Sequence, residues 1–396
     1  MKRFDLVLRT IYVFTLCVIL LQPTKAEKYD PLVYMDSVEF SLLTCSPHEE
    51  VYSLYGHTAL LYRDLHEGKQ QQEVVFNWGV FNFNAPHFVA RFVFGLTDYE
   101  LEAAPFDPFC RYYQRWGSSV VEQVLNLTPA EKLALNLALE ENYQPENRIY
   151  RYNYFYDNCS TRPRDIIERC IVGKLEYEPR EGYEPSFREM IHDKTSHHPW
   201  ATFGNDMLLG LKADLKTTRT EQEFLPENLL YDFDHAKIYG EDGSYRPLVK
   251  ERRLLVKPGV QVVEPDFICS PATCFIILFV VSLLIAAIEL KRRITLKYWD
   301  ALLMLVLGLA GCVLFVMIFS QHPTTSLNLQ LLLINPVHLF YIPTVLRRRK
   351  THYWWLLSAM VLLYLAGTFF QQYAEGWALL ALCLLIRSMI HFKNEK

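Results

Sequence analysis

One cysteine of this chain stands where a thiol ionises easily. Asn153-Tyr154-Phe155-Tyr156-Asp157-Asn158-Cys159-Ser160-Thr161-Arg162 passes from a strand-like aromatic run through an Asx pair to the cysteine. Pro163-Arg164-Asp165-Ile166-Ile167-Glu168-Arg169 then follows with helical spacing. This order predicts Cys159 at a helix N-terminus, where free backbone N–H groups and the helix dipole favour a thiolate. Far upstream, Gly56-His57-Thr58-Ala59-Leu60-Leu61 carries a histidine into an apolar strand. A thiol and an imidazole are the minimum parts of a cysteine nucleophile site. The imidazole takes the thiol proton and later returns it to a leaving group.

Such a pair needs support. Asn77, in Val75-Phe76-Asn77-Trp78-Gly79, lies on the next predicted strand and is the candidate that orients the ring. Tyr55 is a second polar neighbour, and the Cys159 N–H is the candidate oxyanion donor. Arg162 and Arg164 flank the thiol and are candidates to meet a phosphate head group. Each residue also has an ordinary structural use: core thiol, strand histidine, strand-edge amide, solvated arginine. The pairing of Cys159 with His57 is what lifts the catalytic reading above these.

The elements that position the residues can be read from pattern. Strands are expected at Val38 to Leu43, Tyr55 to Tyr62, Val74 to Phe83, Val120 to Leu127 and Arg148 to Tyr156, the last feeding Cys159. Asp64 to Lys69 reads as a turn. Thr128-Pro129-Ala130-Glu131 is a capping box with proline at N1, opening a helix to about Asn142. Pro86 to Gly95 is apolar and aromatic, and reads as a core helix or a lipid-facing one. A short helix is expected around Met207 to Leu215, before the Phe224-Leu225-Pro226 loop.

Hydrophobic residues make up 51% of the 396, and they are unevenly spread. Residues 1–26 read as an export signal, with Lys2, Arg3 and Arg9 before an apolar core and Ala26 at the cleavage position. Residues 27–265 read as an exported α+β domain, and 266–396 as an all-α membrane domain. Five apolar runs follow: Pro271 to Ile288, Ala301 to Phe319, Leu327 to Leu346, Tyr353 to Phe370 and Trp377 to Ile390. If they alternate, Lys291-Arg292-Arg293 with Lys297, Arg347 to Lys350, and Lys393 with Lys396 share the cytoplasmic side. The signal gives the same topology. The polar outliers are His322, on the outer loop beside Cys159's side of the membrane, and Asn328, Asn335 and His338 in the third run. Arg387 is expected to snorkel to the inner interface.

A net charge of −4 gives no reason to expect nucleic acid. Neither an HExxH nor a paired CxxC occurs, so no metal or other cofactor is expected. Of nine cysteines, Cys45 with Cys110 is the pairing that would leave Cys159 free. Cys159 and Cys170, on one helix, would stand ~16 Å apart, beyond disulfide reach.

Tyr55-Gly56-His57-Thr58-Ala59-Leu60, Val75-Phe76-Asn77-Trp78-Gly79, Glu122 to Thr128, and Tyr156-Asp157-Asn158-Cys159-Ser160-Thr161-Arg162 together resemble the Lnb family. His322-Pro323, Asn328 and Asn335-Pro336 extend the resemblance into the membrane half. The family comprises lipoprotein N-acyltransferases with a periplasmic catalytic domain and a transmembrane domain. The order of histidine strand, then Asn-Cys and helix, also resembles permuted papain-type enzymes such as lecithin:retinol acyltransferase-like proteins. That likeness implies an antiparallel sheet packed against the Cys159 helix. The family likeness implies a multi-pass protein of the bacterial inner membrane with a periplasmic catalytic domain. Its implied substrates are a phospholipid acyl donor and a diacylated lipoprotein acceptor. His57, Cys159 and Asn77 would be catalytic, with Tyr55, Arg162 and His322 near the substrates. Two alternatives stand: a periplasmic cysteine hydrolase of peptidoglycan peptides or lipid esters, which needs the same pair, and a non-enzymatic envelope or transporter accessory protein, in which Cys159 is structural.

Overall fold

The computed structural model describes residues 30–66, 72–262 and 267–394. The expected signal at 1–26, part of the turn after Asp64, the domain boundary at 265 and Lys396 lie outside these.

Short helix α1 (Pro31–Asp36) leads into β1 (Val38–Cys45). Along β1, Val38, Phe40 and Leu42 enter one core and Leu43 and Cys45 another, as strand alternation requires. Both faces of the sheet are therefore covered. The other strands of this sheet are β2 (His57–Asp64), β3 (Glu73–Val80), β4 (Asp98–Pro105), β5 (Val120–Leu125), β6 (Ile149–Arg151) and β10 (Val249–Val256). Their order is β10-β5-β1-β2-β3-β4-β6, with every pairing antiparallel. A small sheet joins β7 (Lys174–Glu176), β8 (Lys237–Tyr239) and β9 (Tyr245–Pro247).

Between these strands lie α2 (Phe88–Val93), α3 (Phe106–Trp116), α4 (Pro129–Tyr143), α5 (Thr161–Cys170), α6 (Phe187–Thr195), α7 (Pro199–Leu208), α8 (Arg219–Gln222) and α9 (Pro226–His235). Leu135 and Leu139 of α4, Ile166 and Ile167 of α5, and Leu229 and Phe233 of α9 cover one face of the large sheet. Phe109 and Tyr113 of α3 cover the other. The Thr128 capping box forms as expected, with Glu131 reaching back to the Thr128 N–H at 2.7 Å.

Some expectations need correction. The strand expected over 148–156 is only β6, because Asn153 and Asp157 bridge to each other and fold the aromatics between them into a turn. The helix expected near Met207 lies earlier, as α7, followed by one 3₁₀ turn at Leu211–Asp214. Cys45 and Cys110 are free, as are the other cysteines among the described residues.

The C-terminal part is helical: α10 (Pro271–Arg292), α11 (Lys297–Met317), a 3₁₀ turn (Leu329–Leu332), α12 (Val337–Leu346), α13 (Tyr353–Gly367) and α14 (Trp377–Asn394). Among the described residues, three segments are long and apolar enough to cross a membrane: Pro271–Arg292, Lys297–Met317 and Leu329–Leu346. The third is broken at Asn335-Pro336, where proline cannot continue a hydrogen-bonded helix from the preceding turn.

Arg387 does not snorkel. It is buried, with Nε 2.6 Å from Asp300 Oδ1 and Nη2 2.9 Å from Glu289 Oε1. His391 Nε2 meets the other Asp300 oxygen at 2.9 Å. An unpaired charge is costly among apolar helices, and α10, α11 and α14 each supply part of the compensation.

The two parts touch through polar groups. Gln330 Nε2 donates to Asp206 O at 2.7 Å, and Asn328 Nδ2 to Met207 O at 2.9 Å. Gln371 Nε2 donates to Leu209 O at 3.2 Å. Of the polar outliers in the third run, Asn328 thus meets a carbonyl at the end of α7, together with Gln330 and Gln371, whereas Asn335 accepts from Val337 N within its own segment. His338 stays within the helical part, between the Tyr353 hydroxyl and Leu333 O.

Candidate active site

His57 opens β2 opposite Cys45, directly after Gly56. Gly56 has φ 78°, and a Cβ there would lie 2.8 Å from Cys45 O, so only glycine fits this close entry to the strand. The histidine ring meets Asn77 of β3, with Nε2 and Oδ1 2.5 Å apart. Cys159 lies near enough to His57 that charge and hydrogen bonding between the two shift both groups.

Cys159 lies two residues before the helix it was expected to begin. Helix α5 starts at Thr161, and Ser160 is its N-cap. The cap is built by Asn158, whose Oδ1 accepts from Ser160 N at 2.8 Å and from Thr161 N at 3.0 Å. Its Nδ2 donates to Tyr154 O and to Phe224 O, and the side chain is buried. Every polar atom of Asn158 is thereby engaged, which fixes the turn that presents the thiol.

Two further contacts lock the thiol to the sheet. Thr58 and Ser160, each the residue after a member of the pair, join their buried hydroxyls at 2.7 Å. Gly79 sits in a bulge of the β3–β4 pairing with φ +97°, and a Cβ there would lie 3.6 Å from Cys159 Cβ. The loop and β3 therefore approach closely, and the bulge lets the strand bend around the sulfur.

The electrostatics favour an ion pair. Burial pushes the Cys159 thiol up, but the His57 charge and hydrogen bond, with the Thr58 and Cys159 N–H groups, bring it below its ordinary value. Burial pushes His57 down, yet the Cys159 charge, the hydrogen bond to Cys159 and that to Asn77 raise it. Opposite shifts in neighbouring groups run in the direction that favours a thiolate beside an imidazolium. Tyr99 and Tyr152 feel the same charge: burial first, then Cys159, pushes Tyr99 up to about 12 and Tyr152 well above its ordinary value. Their hydroxyls stay protonated and give the site a neutral aromatic wall.

Other expected residues lie farther out. Tyr55 accepts from Asn205 Nδ2 at 2.8 Å and packs edge-on to Tyr154, bracing the turn before Gly56. Arg162 is clamped on Asp157, with Nε–Oδ1 2.5 Å and Nη2–Oδ2 2.8 Å, and lies over the Tyr150 ring. It lines a cavity of about 500 Å³ beside α4 and α5 that neither His57 nor Cys159 borders. Arg164 is buried against Glu223 and Asp165. His322 Nε2 lies 3.1 Å from Phe92 O, so it ties the outer membrane loop to the loop carrying α2.

The Thr58–Ser160 bridge, the Asn158 anchor and the Gly79 bulge were not singled out from sequence. All three lie inside the motifs that hold His57, Asn77 and Cys159, so adjacency was the available signal.

Residues 25–191 match the family model of the Lnb N-terminal periplasmic domain. Residues 263–396 match that of the Lnb transmembrane domain. No curated protein and no solved structure matches the chain. The protein therefore has a periplasmic part and a membrane-anchoring part. His57, Asn77 and Cys159 lie within the first match, the polar outliers of the third run within the second, and the chain belongs to the Lnb family.

Proposed function

We propose that this protein is a lipoprotein N-acyltransferase working through a thioester on Cys159. The observation that carries the reading is His57 held by Asn77 at 2.5 Å and coupled to Cys159, with the thiol shifted down and the imidazole up. The Cys159 thiolate attacks the ester carbonyl of a phospholipid. The Cys159 N–H takes up the oxyanion. As the tetrahedral species collapses, His57 gives its proton to the departing lysophospholipid oxygen, and the thioester remains. The α-amine of a diacylglyceryl-cysteine lipoprotein then attacks the thioester carbonyl. His57 accepts the amine proton, the carbon–sulfur bond breaks, and the thiolate returns. Both half-reactions are balanced without a cofactor. The sheet against the Cys159 loop supports a permuted papain-type core. Five apolar helical runs support a five-span domain in the inner membrane, with the basic clusters in the cytoplasm. We assign 27–265 to the periplasm and 266–396 to the membrane.

The test is mass spectrometry of a lipoprotein N-terminal peptide from a host lacking N-acylation. The wild type should add one acyl chain, and Cys159→Ala none. Cys159→Ser should be nearly inactive, because a hydroxyl ionises far less than a thiol. His57→Ala should lose most activity and Asn77→Ala less. Normal N-acylation by Cys159→Ala would sink the covalent mechanism. Release of free fatty acid or cut peptides, with the amine untouched, would favour the hydrolase. A reporter after Lys396 should report cytoplasm, and one within 27–265 the periplasm.

A further inference from the structure

We propose that the aromatic loop from Phe81 to Phe94 is a ramp that carries an acyl chain of a phospholipid from the outer leaflet to Cys159. This rests on the acyl-transfer reading. The ramp begins at the site. Strand β3 brings Asn77 to His57 and Gly79 to Cys159, and Phe81 comes two residues later. Phe81 stacks on Tyr99 at 4.8 Å, and Tyr99 stacks on Tyr152 at 4.0 Å. From Phe81 the rings continue outward without a gap. Phe81 meets Phe83 at 4.5 Å, Phe83 meets Phe88 at 5.1 Å, and Phe88 meets Phe92 at 6.4 Å.

The far end rests on the membrane part. Phe92 lies 6.1 Å from the His322 ring, Phe92 O meets His322 Nε2, and Gln321 N–H donates to Phe94 O at 3.0 Å. Gln321 and His322 follow α11, one of the segments apolar enough to span. Here three rings stand open: Phe83 is 61% exposed, Phe92 43% and Phe94 40%. Large apolar groups clustered at the level where a membrane segment ends mark a lipid contact. The polar edge suits a head group. Arg91 and Arg151 share the single carboxylate of Asp98, at 2.5 and 2.7 Å, so one positive charge is left over. Arginine suits phosphate oxygens at such an edge. A route joining the nucleophile to a membrane surface fits a lipid chain, and a charge-rich peptide has no use for it.

The experiment uses the full-length protein and reads the mass of acyl-Cys159 without lipoprotein acceptor, which isolates the donor. One donor is dipalmitoyl phosphatidylethanolamine in nanodiscs. The other is p-nitrophenyl butyrate, which is water-soluble and bypasses the ramp. In Phe83→Ser/Phe92→Ser the ratio of long-chain to butyrate rate should fall about tenfold or more, given the apolar contact removed. An unchanged ratio would overturn the ramp and leave the acyl-transfer reading standing. If the wild type forms acyl-Cys159 from neither donor, the acyl-transfer reading fails and the ramp with it. A second measurement needs no activity and a milder change: Phe83→Trp in nanodiscs with brominated acyl chains. The added fluorescence should be quenched, and unquenched emission would overturn the proposal.

Discussion

Thr58 Oγ1 and Ser160 Oγ lie 2.7 Å apart, and each belongs to the residue that follows one member of the proposed catalytic pair. The strand carrying His57 and the turn carrying Cys159 are thus joined one residue away from the chemistry. Thr58→Val removes half of this bridge and leaves a buried Ser160 hydroxyl without it. The expected cost is about 1–3 kcal/mol in unfolding. A further effect separates positioning from stability: the pH profile of Cys159 alkylation should move upward as the ring drifts from the thiol. Thr58→Ser keeps the bridge and should restore the profile.

The thiol itself should be reactive at low pH. Its pKa is lowered in the fold, so thiolate persists below the ordinary thiol value of about 8.5. Iodoacetamide labelling of Cys159 should begin well below that value. His57→Ala takes away the lowering charge and hydrogen bond and leaves burial in control, so onset should shift above it. Acyl transfer should be bell-shaped. It falls at low pH as Cys159 is protonated, and at high pH as the raised His57 loses the proton the leaving group needs. A profile unaffected by His57→Ala would refute the ion pair.

Gly79→Ala should lose both stability and activity. The φ of +97° is strained for any L side chain, at roughly 1–2 kcal/mol. Relief would unbend the bulge beside Cys159. Thermal unfolding and thioester formation should therefore decline together, and an unaltered rate would show that the bulge does not place the thiol.

Arg387→Leu should be severe despite its distance from the site. It strands Glu289 and Asp300 among apolar helices, at about 3–5 kcal/mol by analogy with broken buried pairs. Replacing all three together, with Glu289→Gln and Asp300→Asn, should recover much of the loss in detergent unfolding. If the single variant is as stable as wild type, the cluster carries no structural load.

The histidine and Asn77 strands, the cysteine turn and helix α4 were legible because each sits in a local pattern: apolar strand runs, an Asx pair before a helix, a capping box after β5. What was hidden depended on partners distant in sequence. Nothing around Asp157 says that it will bridge back to Asn153, so the aromatics between them read as strand. Likewise Glu289 and Asp300, taken singly, read as helix-end charges. Only their convergence on Arg387 makes them a buried network. Strand β4 escaped because its Asp98-Tyr99-Glu100-Leu101-Glu102 start carries charge on the open face, although Tyr99 and Leu101 point inward. The arginines beside Cys159 looked free because sequence does not show Asp157 or Glu223 closing on them.

The contacts of helix α7 bear on how this protein can be handled. Its last carbonyls are met by Gln330 and Asn328, while Asn205, just before them, reaches Tyr55 beside the histidine strand. A fragment ending near 262 would lose those partners, leaving Asp206 O with Arg188 alone, and would loosen Tyr55. Tyr55 directly precedes Gly56 and His57, so the pH profile of Cys159 alkylation should differ between such a fragment and the full chain.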